Sequence, residues 1–170
     1  MRIILYSAFF LILFSCQETE NSKPQNLEET AQSIPISKED ISNLDFIEFV
    51  LDAKAVKALE SWQKYYEMDQ IISNVHQADL SFFNENNEII VALLQDLNST
   101  LPETVDTPLI KARLVALETK MLKLEGVVNL SNPQREELLL TIKEFLESYS
   151  DLNLQINKKF EKDAQRIEKP

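Results

Sequence analysis

TPLIKARLVALETKMLKLEGVV, residues 107–128, decides the fold class. Ile110, Leu114, Leu117, Met121, Leu124 and Val128 follow one another at spacings of four, three, four, three and four, the period of one face of a helix packed against neighbours. Thr107 and Pro108 supply a cap residue and a proline in the first turn, and Gly126 stands near the far end as a stop signal. Asn132 and Pro133 repeat the opening device. Behind them Leu138, Ile142, Phe145, Tyr149, Leu152, Ile156 and Phe160 form a second stripe, continuing weakly to Ile167, on a helix of about 50 Å.

Upstream, Ser37 with Asp40 three residues on resembles a capping box, so a long helix is expected from residue 38. Leu44, Ile47, Leu51, Ala58, Tyr65, Met68, Ile72 and Val75 mark its seam. No proline or glycine interrupts residues 38–101, which as one helix would measure about 95 Å. A break is therefore expected within 78–87, where Asp79, Ser81, Asn84, Asn86 and Asn87 all favour caps. One long kinked helix is the alternative. A further segment with Phe82, Ile89, Leu93, Leu94 and Leu97 is stopped by Pro102. The expected architecture is all-α: an antiparallel bundle of four helical segments in a single domain, residues 38–170.

Composition narrows function by exclusion. One glycine in 170 residues disfavours sheet folds and phosphate-cradling loops together, since both draw on it. A formal net charge of -11 repels a phosphate backbone, so nucleic acid is not an expected partner. One cysteine excludes an internal disulfide and any multi-cysteine zinc site.

Residues 1–16, MRIILYSAFFLILFSC, carry a basic Arg2 and an apolar run too short for a stable span. The end Leu13-Phe14-Ser15-Cys16 resembles the lipobox of bacterial lipoproteins; Leu13, Ser15 and Cys16 match, and the bulky Phe14 departs mildly. The resemblance implies removal of 1–15 as a signal peptide, lipidation of Cys16, and attachment to a membrane through acyl chains in the bacterial cell envelope. Losing Arg2 takes the net charge from -11 to about -12. Residues 16–37, polar with Pro24 and Pro35, read as a flexible tether. Gln17 stands where some enterobacterial lipoproteins carry an inner-membrane-retaining Asp, which leans the expectation towards the outer membrane. Glu18 and Glu20 are similar to the acidic export tag of Bacteroidetes-type surface lipoproteins. The mature part, notably residues 150–161, resembles small helical lipoproteins of those bacteria.

No constellation of residues carries chemistry. His76 is the sole histidine; a di-iron bundle needs two Glu-x-x-His motifs, and no ligand set of metal-site spacing surrounds it. No cofactor or metal is expected, and no enzymatic activity. Asp79 and Asn86 fall on the seam of the first two segments, while Arg113, Asn153 and Asn157 lie beside the later stripes. Together Asp79, Arg113, Asn153 and Asn157 are candidates for a polar layer holding a small ligand; the plainer expectation is that they cap helices and fix register. Phe46, Phe49 and Val50, with Ile47 and Leu51, make the start of the first helix apolar almost all round. That start is either a candidate partner contact or a helix covered on two sides, with Phe160 and Ile167 as covers. The functional expectation is a membrane-anchored, non-enzymatic protein-binding or scaffold module with an envelope partner; the alternative is a small-ligand carrier.

Overall fold

The computed structural model describes residues 36–165; residues 1–35, and with them the signal, Cys16 and nearly all of the tether, lie outside the described residues, as does Ile167. Among the described residues every regular element is helical and no strand occurs. The described residues form six α-helices: α1 (Lys38–Ser42), α2 (Ala53–Ala58), α3 (Gln63–His76), α4 (Asn87–Ser99), α5 (Pro108–Val128) and α6 (Arg135–Ala164). A single 3-10 turn, Ser81–Phe83, lies between α3 and α4.

α5 and α6 form the spine. Arg113 pairs with Asp151 at 2.8 Å, and Lys120 and Lys123 both reach Glu144, at 3.1 and 2.8 Å. Rising numbers on α5 meet falling numbers on α6, so the two run antiparallel. Ile110, Leu114, Leu117, Met121 and Leu124 are buried as their spacing requires, with Val127 rather than Val128 as the last fully buried member. Thr107 caps α5 by accepting from the Ile110 amide at 3.3 Å. Gly126 does not stop it: the helix runs on to Val128, and Asn129 closes it. α6 is about 45 Å long and buries Leu138, Ile142, Phe145, Tyr149, Leu152 and Ile156. It starts at Arg135, past the expected Asn132-Pro133 device, with Gln134 as a cap that makes no side-chain bond. α4 packs on α5 and α3 on α4, while α1 and α2 pack on α6.

The expected break at 78–87 is present. Asp79 N–H donates to Asn74 C=O at 3.0 Å and Ala78 N–H to Val75 C=O at 2.9 Å, the double bond that closes a helix when the next residue turns left-handed. That residue is Ala78, with φ 62°, where glycine is the usual occupant.

The long first helix expected from residue 38 does not form. The capping box does, Ser37 and Asp40 exchanging bonds of 2.9 and 3.2 Å. Yet α1 ends after five residues at Asn43. Residues 44–52 are a non-helical strap, and the helical path resumes only as α2, capped by Asp52 on the Ala55 amide at 2.7 Å, and α3. The first of the four expected segments is thus three helices and a strap. Leu44, Phe46, Phe49 and Leu51 are half-buried while Asp45, Ile47, Glu48 and Val50 are exposed. This is a two-residue alternation with one extra outward residue in the middle, and it fits Phe, Ile and Val better than a helix does.

Candidate functional site

The strap needs partners for its backbone, and α6 provides them. Ser150 Oγ accepts from Phe49 N–H at 2.7 Å and donates to Ile47 C=O at 2.9 Å. Asn153 Nδ2 donates to Phe49 C=O at 3.1 Å. Asn157 Nδ2 donates to Val50 C=O at 2.7 Å, and its Oδ1 accepts from Asp52 N–H at 2.9 Å. Seven residues of helix rise about 10.5 Å and three residues of extended chain advance about 10 Å, so side chains on successive turns of α6 meet the strap in step. Three short polar side chains do the work of a neighbouring strand.

Asn153 is buried and also accepts, at 2.7 Å, from the Tyr65 hydroxyl on α3. It therefore ties α3, α6 and the strap at one point. Tyr65 stacks on Tyr149 with ring centres 5.7 Å apart, and Tyr149 donates to Asp69 Oδ1 at 2.7 Å. Burial first, then neighbouring Tyr65, and after it the hydrogen bond to Asp69 and the Asp69 charge, drive the Tyr149 phenol far above its ordinary value; burial does the same to Tyr65. Both hydroxyls stay protonated and act as donors. Trp62 also stacks on Tyr65, with ring centres 5.5 Å apart, and is fully buried, its Nε1 without a hydrogen-bond partner among the described residues.

Between the strap and α3 lies a groove of about 370 Å³. Tyr65, Tyr149 and Asn153 contribute its polar floor, Glu48, Val50 and Phe49 come from the strap, and Tyr66, Asp69 and His76 from α3. His76 Nε2 and Glu48 Oε1 stand 3.2 Å apart and bridge the two walls at one end. Ile47 and Val50 are each 73% exposed; Val50, Val56 and Tyr66 form an apolar rim to the groove.

The four candidates for a polar layer are not brought into one. Asp79 is exposed and accepts from Ser81 N–H at 2.9 Å, starting the 3-10 turn; that bonding holds its carboxyl below the usual range. Asn86 bonds the Phe82 carbonyl at 3.0 Å. Arg113 is engaged by Asp151 on the α5–α6 face. Asn153 and Asn157 do act together, with the strap as their ligand. Of the candidate partner contacts, Phe46 packs on the core, Phe49 lines the groove half-buried, and Val50 is presented to solvent. Phe160, one of the expected covers, packs half-buried against the core, the other, Ile167, lies outside the described residues, and the strap's backbone is held by the Ser150, Asn153 and Asn157 ladder.

In the sequence Tyr65 and Tyr149 read only as members of apolar seams, and Ser150 and Asp69 do not stand out; Ser150 sits three and seven residues before the two asparagines, and that polar run along one edge of α6 is the signal that finds it. Among the described residues no group of three His, Cys, Asp or Glu stands close enough to hold a metal ion, and no helix is long and apolar enough to cross a membrane. No family model, curated protein or solved structure matches the chain.

Proposed function

We propose that the chain is a lipid-anchored, non-enzymatic binding module of the bacterial cell envelope, held on the outer membrane through Cys16, which engages an envelope protein with the groove between the strap and α3. In this reading α3, α4, α5 and α6 are the four members of an antiparallel bundle, and the strap is the part adapted to binding. The observation that carries it is the apolar rim: Val50, Val56 and Tyr66 stand in solvent around a groove whose floor is fixed by hydrogen bonds. Exposed apolar groups gathered at a concave site mark interaction surfaces, where the same groups scattered singly do not. The titratable groups in the groove are engaged with one another: His76 faces Glu48, and Asp69 accepts from the Tyr149 hydroxyl.

A photo-crosslinking residue at Val50, and another at exposed Leu140 on α6 as control, tests this in native envelopes. A partner captured at Val50 but not at Leu140, and lost in the Cys16→Ser form, is the expected result. Identical patterns at the two positions would remove the groove from consideration. The small-ligand carrier is the second reading, favoured by a groove volume within the range of small-molecule sites. A small molecule copurifying with the protein and lost on Asn153→Ala, with no protein captured at Val50, would select it.

A further inference from the structure

We propose that the groove receives one basic side chain, lysine or arginine, presented between apolar residues of a protein segment. The proposal rests on the binding-module reading and adds the chemistry of the occupant. Two carboxylates face the groove from opposite walls, Glu48 from the strap, where His76 already meets one of its oxygens, and Asp69 from α3; among the described residues no lysine or arginine lines it. Asp69 Oδ1 already takes the Tyr149 hydroxyl, which leaves Oδ2 for a second donor. Half-buried Phe49 and exposed Tyr66 line the same groove, while Tyr65 and Tyr149 are buried and stacked on each other beneath it. Carboxylates in a groove attract a cation and repel an anion through charge, and the apolar surface of Phe49 and Tyr66 beside them suits the aliphatic stem of a long basic side chain. The surplus of acid over base along the whole chain acts in the same direction at longer range.

The occupant is a protein segment because the surroundings extend beyond one side chain. Val50 and Val56 continue the groove as an apolar margin, and Ile47 stands exposed on the same strap, so aliphatic residues flanking the cation have surface to cover. Ser150, Asn153 and Asn157 of α6 engage the strap's backbone, while the amides of Glu48, Val50 and Leu51 donate to no described residue, which gives a segment laid along the strap backbone donors to meet.

The test uses the purified full-length protein and a fluorescein-labelled, end-blocked peptide Val-Leu-Arg-Val-Leu, with its citrulline and glutamate counterparts. The arginine peptide is expected to bind about tenfold tighter than the uncharged citrulline one, the glutamate peptide weakest, and the preference is expected to shrink as salt rises. Asp69→Asn keeps an acceptor for Tyr149, and its melt checks the fold; it is expected to bring arginine binding down to the citrulline level while leaving citrulline binding unchanged. Glu48→Gln reads the opposite wall and is expected to act in the same direction. Citrulline or glutamate peptides binding as well as arginine would overturn the cationic occupant while leaving the groove as a docking site. Free n-butylguanidinium competing at the concentration of the peptide itself would overturn the protein segment in favour of a small cation. Failure of all three peptides to bind overturns the inference, and the crosslink at Val50 then shows whether the binding-module reading falls with it.

Discussion

Replacing Asn153 by alanine removes the one side chain that joins α3, α6 and the strap. Two bonds are lost: the one accepted from Tyr65 at 2.7 Å and the one donated to Phe49 C=O at 3.1 Å. A net hydrogen bond is worth about 1 kcal/mol, and a buried donor left unpaired costs about 1–3 kcal/mol more. Tyr65 is 4% exposed, so its hydroxyl cannot turn to water without opening the packing, whereas Phe49 is half-buried and its carbonyl can be rehydrated. The expected loss is therefore about 2–4 kcal/mol, most of it from Tyr65. Adding Tyr65→Phe to Asn153→Ala removes the orphaned hydroxyl and is expected to return about 1 kcal/mol or more of the deficit. Urea unfolding of the four proteins of this cycle gives the energies, and amide exchange reports on the strap. In the wild type the amides of Phe49 and Asp52, which donate to Ser150 and Asn157, are expected to be protected and those of Glu48, Val50 and Leu51 not. A loss below about 0.5 kcal/mol with no such pattern would refute the argument that side chains of α6 stand in for a strand.

Three further outcomes follow from single positions. Ala78→Gly is expected to stabilise by about 1 kcal/mol in urea unfolding, because Ala78 holds φ 62° at the end of α3 and a side chain is disfavoured there; a destabilisation would mean that the closing turn is not left-handed in solution. Asp40 has its carboxyl held below the ordinary value of 3.8, first by the Ser37 amide and then by Arg135. A depressed folded value means stability that is present above the ordinary carboxylate range and lost as pH falls through the folded value, so wild type is expected to lose more stability than Asp40→Asn on acidification and the two curves to converge at the acid end; parallel curves throughout would remove Asp40 as a contributor. Cys16→Ser is expected to abolish incorporation of labelled fatty acid in a lipoprotein-competent bacterium, and retained label would place any lipid elsewhere.

The helical character of the chain and most of its core were legible because one period governs them. In α5 and α6 each apolar residue at spacing three or four meets another helix, so periodicity and burial coincide. Tyr65, Met68, Ile72 and Val75 obey the same rule in α3. The strap escaped because Phe46, Ile47, Phe49, Val50 and Leu51 are apolar on both sides of an alternating segment, which on a helical wheel looks like a helix buried all round. What separates the two is tertiary: the polar run Ser150, Asn153 and Asn157 lies more than a hundred positions further on. The same distance hid the site. Asn153 and Asn157 stood out as polar residues beside an apolar stripe, but their ligand is a backbone, which leaves no mark in a side-chain pattern.

The ladder that holds the strap also sets the affinity of the groove. Glu48, Phe49 and Val50 form a wall only while the strap lies on α6, so any ligand that touches them binds the docked state alone. Apparent affinity then equals intrinsic affinity multiplied by the docked fraction. Asn157 contributes two bonds to the strap from a half-buried position and does not line the groove. Its replacement by alanine leaves every groove residue in place and costs docking about 1 kcal/mol, since water can reach the groups it frees. If the docked state is dominant by several kcal/mol, that change barely moves the affinity; if docking is marginal, affinity falls about fivefold and the Phe49 amide loses protection together with it. By the same linkage, ligand that binds the docked state alone raises the protection of the Phe49 amide in either case, as the substitution lowers it in either case. The affinity of Asn157→Ala read against its Phe49 protection therefore separates a preformed groove, where protection falls and affinity holds, from one assembled by its occupant, where both fall. Loss of affinity with unchanged protection would fit neither and would break the link between strap and groove.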